Sequence, residues 1–355
     1  MQSNSNHQSF SGPLQLCVIE GDGIGREVIP AAIQVLQAVA ADVTIFPEPA
    51  GWLYFQENGT PLPDATVERA RQCGAVLFGA NQSPAYPVEG YFSPILRLRR
   101  SLRAFANLRP TSYLPVPTSR QGVDLIVVRE NTEDLYIGHE HTEDEGKTGI
   151  AEKVITRDAT ERVARQAYEL AARVERKKVT IVHKANVMPQ SDGLFRRVAL
   201  EVSEYYPEII TDELFVDTAA YWMVKDPTRF DVILTPNLYG DILSDMAAAW
   251  GGGLGLAPSL SMGENIALAE PVHGSAPDIA GQGISNPTAA ILSVAMLLRH
   301  FWHRLEAAAR IENAVRVTLD SGDYTADIYG EGSISKTRLA DRVCSHLYRK
   351  NRARR

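Results

Sequence analysis

The sequence predicts an α/β protein with doubly wound, largely parallel sheets. Short apolar runs with strand character alternate with helical segments along most of the chain. Helices of this length between strands are typical of parallel connections. The chain has 355 residues, which is more than one simple hydrophobic core usually holds, so we expect two lobes.

The alternation begins with an apolar strand over 14–19, a glycine turn at 21–25 and a helix over 27–40. Further strands are expected over 74–78, 123–128, 178–182 and 230–234, and further helices over 159–174 and 241–250. Residues 287–300 predict a nearly all-apolar helix. It is shorter than the roughly 20 residues of a membrane span, so we expect a buried core or interface helix.

One segment breaks the alternation. Residues 138–155 are polar and alternate only weakly, which favours an extended arm over a packed unit. Such arms can pair across a subunit interface as added strands. The polar start over 1–12 predicts a disordered tail and lacks the features of a secretory signal.

Composition narrows the class of protein. A net charge of -7 argues against a general nucleic-acid binder, because that binding needs a positive surface. The three cysteines lie far apart with no CxxC pair, which is typical of a reducing compartment, so we expect a cytoplasmic protein. No apolar stretch approaches the roughly 20 residues of a membrane span, so we expect no membrane binding.

The glycine turn GDGIG follows a strand and precedes a helix, which resembles a dinucleotide fingerprint. That fingerprint requires G-x-G-x-x-G, whereas here the third glycine is one residue early and Arg26 occupies its place. We therefore interpret 21–25 as a tight turn whose glycines permit positive φ and close backbone approach.

Several arginines occur in SPILRLRRSLRAFANLRP, and a solvated basic face explains most of them. Arg99 and Arg109 differ because they stand beside apolar or turn residues, and Arg129 ends an apolar strand. A charge there is costly unless it is paired, and this edge of a sheet is where α/β proteins bind ligands. Since a guanidinium matches a carboxylate in a bidentate manner, the three arginines suit a substrate with several carboxylates.

Asp241 and Asp245 are four residues apart on a predicted helix and face the same side. Asp217, after another apolar run, is a third candidate carboxylate. Oxygen ligands of this kind suit Mg²⁺ or Mn²⁺, although helix capping or ion pairing explains the spacing equally simply. Lys184 follows a strand and is a candidate base, and Tyr136 is a candidate acid. A snorkelling lysine and a core tyrosine are the alternatives.

Taken together, these motifs resemble one known family, the β-decarboxylating dehydrogenases of isocitrate, homoisocitrate and isopropylmalate. The resemblance runs from about Leu16 to the last helix. It is carried, in the same order, by GDGIG (21–25), SPILRLRR (93–100), ANLRP (106–110), RENTEDLY (129–136), HKANVM (183–188), GDILSD (240–245) and EPVHGSAPDIAGQGISNPTAA (270–290).

The resemblance implies a discontinuous two-lobe fold. A large cofactor domain would comprise 13–110 and 265–348, and a small dimerisation and substrate domain would comprise 111–264 with an arm over 138–158. It implies a homodimer, possibly paired into a tetramer, in which the arms interlock and Lys184 and Asp217 are contributed by the partner subunit.

The resemblance also assigns roles by position. Tyr136 and Lys184 match the family's catalytic pair, and Asp217, Asp241 and Asp245 match its metal ligands. The expected substrate-binding residues are Ser93, Leu96, Arg99, Arg109, Arg129 and Asn186. The expected cofactor-binding residues are Asn237, Glu270, His273, Gly274, Ser275, Ala276, Asp278, Ile279 and Asn286.

The implied cofactor is NAD rather than NADP. Asp278 falls where NAD-preferring members carry an acid that can hydrogen-bond the ribose hydroxyls, and its charge would repel a 2′-phosphate. NADP-using members tend to have a lysine and a tyrosine in place of Asp278 and Ile279. In the implied reaction, Lys184 accepts the hydroxyl proton as hydride leaves, CO₂ is lost, and Tyr136 reprotonates the carbon.

Substrate choice is less sharply defined. RENTEDLY and HKANVM resemble the isocitrate and homoisocitrate branches, whereas isopropylmalate members typically read RELTGG and DKAN. The segment 88–100 resembles homoisocitrate enzymes, with Ser93 retained and Ile95 in place of an asparagine of isocitrate enzymes. Leu96 is a departure shared with isopropylmalate enzymes. We expect homoisocitrate, with isocitrate and isopropylmalate or another 3-substituted malate as alternatives. A non-catalytic regulatory subunit is disfavoured because no part of the site is missing.

Overall fold

A computed structural model of the chain describes residues 14–329 and 333–352. The expected tail over 1–12 lies outside the described residues. Contacts divide the chain into two compact units, of which unit 1 comprises 1–95 and 265–355 and unit 2 comprises 96–264. Each unit is an α/β assembly, as the sequence predicts.

The described residues of unit 1 form four strands in the order β2-β1-β3-β12, and all of their pairings are parallel. The strands are β1 (Gln15–Gly21), β2 (Thr44–Pro47), β3 (Ala75–Ala80) and β12 (Ala267–Pro271). Its helices are α1 (Gly25–Val39), α2 (Trp52–Asn58), α3 (Asp64–Cys73), α9 (Thr288–Met296), α10 (Leu305–Asp320), α11 (Ala326–Tyr329) and α12 (Lys336–Arg352). The expected apolar helix is buried, and it continues past α9 as a π-helical turn, Leu297–Phe301.

In unit 2, six strands pair side by side in the order β11-β4-β5-β10-β8-β9. The strands are β4 (Ala106–Ser112), β5 (Asp124–Glu130), β8 (Lys178–His183), β9 (Ile210–Phe215), β10 (Val232–Thr235) and β11 (Pro258–Met262). Its helices are α5 (Arg157–Arg173), α6 (Ser191–Ser203), α7 (Val216–Lys225) and α8 (Asn237–Trp250). Strand β4 is antiparallel to both of its neighbours, and the remaining pairings are parallel.

The division between the units places residues 96–110 with unit 2, whereas the expected border followed Pro110. The reason is the pairing of β4, which joins β5 along its whole length from Ala106 to Ser112. Helix α4 (Pro94–Ser101) spans the first border in the sequence. The second border follows Glu264.

The expected arm is an exposed two-stranded antiparallel ribbon of β6 (Glu140–Glu143) and β7 (Thr148–Ala151). It ends earlier than the predicted residue 158, because α5 begins at Arg157. The hydroxyl of Thr156 caps that helix by accepting a hydrogen bond from the Ala159 amide. Among the described residues, no helix combines the length and the apolar character that a membrane span requires.

Candidate active site

Three arginines of unit 2 are buried, which sets them apart from the exposed Arg97 and Arg100. Arg129 lies near the end of β5, Arg109 lies on β4, and Arg99 lies on α4. The antiparallel register places Arg129 opposite Asn107. The side chain of Arg129 is only 1% exposed. A charge buried to that degree requires a partner.

The partner is Asp241, on the first turns of α8. Arg129 Nη1 donates to Asp241 Oδ1, and Arg109 Nη2 lies 3.4 Å from the same oxygen. The Tyr136 hydroxyl donates to Asp241 Oδ2 over 2.6 Å. Burial alone would raise the pKa of Asp241, but Arg129 and Arg109 outweigh it and the net shift is downward. Burial, followed by the bond to Asp241, raises the pKa of Tyr136, so the phenol holds its proton.

Asp245 lies one turn further along α8 and is more exposed. Arg109 Nη1 donates to its Oδ1 over 3.2 Å. Burial, reinforced by the neighbouring Asp241, raises the pKa of Asp245 despite Arg109. Two carboxylates that repel each other and supply only oxygen ligands fit a hard divalent cation. Among the described residues, Asp217 does not join them, and no group of three metal-ligating side chains forms.

Polar side chains that the sequence analysis did not single out hold the arginines in place. Arg109 donates through Nε to Asn107 Oδ1 over 2.8 Å and through Nη1 to Ser244 Oγ over 2.8 Å. Their positions in the sequence could have indicated both residues. Asn107 shares a strand face with Arg109, and Ser244 lies beside Asp245 on α8. Asn237, predicted as a cofactor ligand, is buried and accepts from Arg129 Nε over 2.8 Å. Its amide nitrogen donates to the Glu133 carbonyl over 3.0 Å.

Lys184 and Asp217 form a second, separate pair. Lys184 Nζ lies 2.6 Å from Asp217 Oδ1, and the Asp217 side chain is 66% exposed. The hydrogen bond from Lys184 lowers the pKa of Asp217. Within the described part of the chain, no hydrogen bond or ion pair joins this pair to Asp241 or Tyr136. One chain therefore presents two halves of the predicted catalytic set.

Lys184 is anchored through its backbone. Its amide donates to Asp192 Oδ2 over 2.6 Å, and Lys153 Nζ lies 2.6 Å from Asp192 Oδ1. Both Asp192 and the nearby Asp134 are fully buried, so Lys153 supplies the cation that their burial requires. Lys153 directly follows the ribbon, and the Asp134 amide donates to the Val154 carbonyl over 2.8 Å. The root of the arm and the backbone of Lys184 are thus joined through the ion pairs of Lys153 with Asp134 and Asp192, which no sequence motif revealed.

The expected cofactor loop belongs to unit 1. Glu270, Ser275 and Asn286 are buried, His273, Ala276 and Ile279 are partly buried, and Gly274 and Asp278 are exposed. Asn286 uses its side chain inside the unit, donating to Asp327 and accepting from the Thr288 amide. The buried Nε2 atom of His273 has no hydrogen-bond partner among the described residues. An orphaned nitrogen beside an exposed glycine and carboxylate fits a loop that binds a polar cofactor such as a dinucleotide.

The residues expected to choose the substrate are spread over two segments. Ser93 and Leu96 are partly buried where α4 begins, in units 1 and 2 respectively, and Ile95 is buried. Asn186 is exposed just after Lys184. Arg97, on the same helix, is exposed.

Comparisons with known proteins show the family to which the chain is similar. The sequence matches the isocitrate/isopropylmalate dehydrogenase family over residues 15–343. It is 50% identical to an isocitrate/homoisocitrate dehydrogenase of Thermus thermophilus over 90% of this chain and 95% of that one. It is 47% identical to a 3-isopropylmalate dehydrogenase of Archaeoglobus fulgidus over 94% and 99% of the two chains. The crystal structure of isocitrate dehydrogenase from Methylococcus capsulatus superposes with a TM-score of 0.90 at 40% identity, covering 94% of this chain and 99% of that one.

Fold, site and relatives agree on the class of protein, a decarboxylating hydroxy-acid dehydrogenase. The chain belongs to the isocitrate/isopropylmalate dehydrogenase family, and the resemblance seen in the sequence blocks is confirmed. The relatives are named for different acids, so family membership leaves the particular substrate to be argued from the site.

Proposed function

We propose that the protein catalyses the NAD-dependent oxidative decarboxylation of homoisocitrate to 2-oxoadipate, with Mg²⁺ or Mn²⁺ bound by Asp241, Asp245 and a partner subunit's Asp217. Isocitrate is the second candidate substrate, and 3-isopropylmalate or another 3-substituted malate is the third.

The observation that carries the proposal is the charge of the group around Asp241. Three guanidinium groups face two carboxylates, and Arg99 is close enough to help lower the pKa of Asp241. The group therefore has an excess positive charge in a partly buried setting, which a divalent cation would increase. A substrate with three carboxylates neutralises this excess more fully than a dicarboxylate does, because unbalanced charge is costly away from water. This favours isocitrate and homoisocitrate over isopropylmalate.

The roles of the residues follow from their surroundings. A divalent cation would supply Lewis acidity that lowers the pKa of the substrate hydroxyl. Lys184 would accept the hydroxyl proton as hydride passes to the nicotinamide. Arg99, Arg109 and Arg129 would hold the carboxylates through CO₂ loss. Tyr136, which keeps its proton beside Asp241, would then donate a proton to the carbon.

The proposed homodimer is supported by the surface beside Asp217. On α7, Asp217, Tyr221 and Val224 recur at helical spacing along one stripe, and both apolar side chains are exposed. On α8, Ile242 is exposed immediately after Asp241. An exposed apolar stripe of this kind marks an interaction surface. Since a two-fold interface uses the same patch on both copies, each copy would present Lys184 and Asp217 to the other.

The remaining assignments are part of the same proposal. Unit 1 would bind the cofactor, and unit 2 would dimerise and bind the acid. Asp278 is exposed on its loop, where a carboxylate can accept hydrogen bonds from ribose hydroxyls and repel a 2′-phosphate. NAD is therefore the proposed cofactor. Pairing of two dimers into a tetramer would require a second interface. The sparse cysteines fit a cytoplasmic location.

The experiment is a panel of kcat/KM values for homoisocitrate, isocitrate and 3-isopropylmalate, each with NAD and with NADP and with Mg²⁺ or Mn²⁺. We expect the two tricarboxylic acids to lead, homoisocitrate first, with NAD. A chelator should abolish activity, and added Mg²⁺ should restore it. A lead of tenfold or more for isopropylmalate would refute the substrate assignment, and a preference for NADP would refute the cofactor assignment.

A further inference from the structure

The glycine turn at 21–25 contacts the loop that we assign to the cofactor. The Ile24 amide donates to the Ser275 carbonyl over 2.9 Å. A Cβ atom on Gly23 would lie 2.0 Å from that same oxygen, and Gly23 has a φ of +53°. The turn therefore needs glycine at this position because the protein's own loop packs against it.

Glu27, in the first turn of α1, ties the same loop at two further points. Its Oε1 accepts from the Gly281 amide over 2.5 Å, and its Oε2 accepts from the Ser285 hydroxyl over 2.9 Å. Lys336 Nζ, at the start of α12, lies 2.7 Å from Oε2. The Lys336 amide also donates to the Gly283 carbonyl over 3.2 Å. The Glu27 carboxylate and the Lys336 backbone amide thus hold the loop from two helices, and the Lys336 ammonium pairs with the Glu27 carboxylate.

This carboxylate is held as a charged group in a place where burial opposes charge. Glu27 is 8% exposed. Burial alone would raise its pKa, but Lys336, Gly281 and Ser285 together lower it. Hydrogen bonds to a charged acceptor are stronger than neutral ones, so the anchor is firm.

Within the described segment between Ser275 and Ser285, hydrogen bonds link only near neighbours in the sequence, namely Ile279 to Ala276 and Gln282 to Asp278 and Ile279. It contains no regular helix or strand, and Gly281 and Gly283 have φ values of +82° and +72°. A loop of this kind has many accessible conformations unless contacts restrict it. A ligand that binds a disordered loop must pay for ordering it, which weakens affinity.

We propose that Glu27 and Lys336 are positioning residues of the dinucleotide site, which hold the 275–285 loop in the conformation that binds the cofactor. The inference rests on the proposed function, which places NAD at this loop. Their effect is exerted through the backbone of Gly281 and Gly283 and the hydroxyl of Ser285.

The test compares Glu27→Gln with Lys336→Met in the full-length enzyme. Glu27→Gln keeps the size of the side chain and removes the charge. We expect the Kd for NADH, followed by its fluorescence, and the KM for NAD to rise about tenfold. The KM for the acid and kcat at saturating NAD should change less than about twofold, since the effect is confined to the loop. Lys336→Met should act in the same direction.

The double variant provides a second readout. Glu27 and Lys336 are proposed to act together, so their effects should not multiply. The Kd for NADH of Glu27→Gln/Lys336→Met should be close to that of whichever single variant binds NADH more weakly. The fold-increase in this Kd should be smaller than the product of the fold-increases in the two single variants. Glu48→Gln is the matched control. Glu48 pairs with Arg69 in the same unit, away from the loop, and its substitution should leave NADH affinity unchanged.

Asp278→Ala separates this inference from the proposed function. If Asp278→Ala weakens NADH binding while Glu27→Gln and Lys336→Met do not, the loop binds the cofactor and the positioning role is overturned. If none of the three changes NADH affinity, the cofactor assignment itself fails. If Glu27→Gln raises the KM values for acid and NAD equally, its role is generally structural and the inference is overturned.

Discussion

Asp241 and Asp217 are both predicted metal ligands, yet their side chains differ in exposure and in the number of their partners. Asp241 is 37% exposed and is engaged on both oxygens by Arg129, Arg109 and Tyr136. Asp217 is 66% exposed, and Lys184 is its one side-chain ion-pair partner among the described residues. The first centre is built into the packing of β4, β5 and α8, whereas the second stands on a surface.

The difference shows which part of the predicted site one chain surrounds with its own residues and which part it leaves open to solvent. The Asp241 centre takes its charged partners from unit 2 of the same chain, so folding of one chain assembles it. The Lys184–Asp217 pair lies beside the exposed Tyr221 and Val224, so burial of that surface by a second copy would complete its surroundings. Under the proposed function, this division links activity to assembly of the dimer.

We expect the largest difference between the two centres in the stability of the variants Asp241→Asn and Asp217→Asn. Both should abolish activity. Asp241→Asn should also lower the free energy of unfolding by about 2 kcal/mol, because it leaves Arg129 buried without a carboxylate. Asp217→Asn should leave the urea midpoint of the chain unchanged. Both are measured by urea unfolding at one protein concentration, since dimerisation couples to stability. Equal losses of stability in the two variants would contradict the comparison.

A smaller effect concerns a buried carboxylate that lacks a guanidinium in direct contact. Glu133 accepts from the Thr156 amide and hydroxyl at 2.8 Å each. Burial raises the pKa of Glu133 to about 7, from an ordinary value of 4.5. The folded chain therefore keeps a proton that the unfolded chain releases, and this contribution to stability is lost as the pH rises from 4.5 through 7.

Glu133→Gln should remove the loss of stability that deprotonation of Glu133 causes as the pH rises. Relative to the wild type, the variant should gain a few degrees of Tm between pH 5 and pH 8, measured by thermal unfolding at both values. Glu140→Gln, on the exposed ribbon, is the control and should follow the wild type. A variant whose Tm changes with pH as the wild type's does would exclude Glu133 as the titrating group.

Much of the fold was predictable from local patterns. The apolar runs of β1, β3, β5, β8 and β10 and the helical segments of α1, α5 and α8 produced elements within a few residues of the expected bounds. Strand β4 was not foreseen as an antiparallel member, because ANLRP has neither an alternating nor a continuous apolar pattern. Its position follows from pairing with β5, which a local window does not contain.

In the candidate site, too, local patterns reveal some residues and only tertiary contacts reveal the others. Arg129, Lys184 and the two helical aspartates could be singled out because each stands at the end of a strand or one helical turn from another charge. The supports could not be found in this way. Glu27 and Ser285 are 258 positions apart in the sequence. Lys153 lies in the loop before α5 and Asp192 lies on α6, so only tertiary structure brings these two residues together.

The central claim, that Lys184 completes the Asp241 centre of the other subunit, is tested most directly by mixing two inactive variants. Tyr136→Phe and Lys184→Met chains are unfolded together and refolded, so that mixed dimers form. Each mixed dimer would contain one site with both Tyr136 and Lys184 intact, so activity should recover to about a quarter of the wild-type value. Each variant refolded alone should remain inactive. Absence of recovery, with mixed dimers demonstrated by a tag on one chain, would contradict the account.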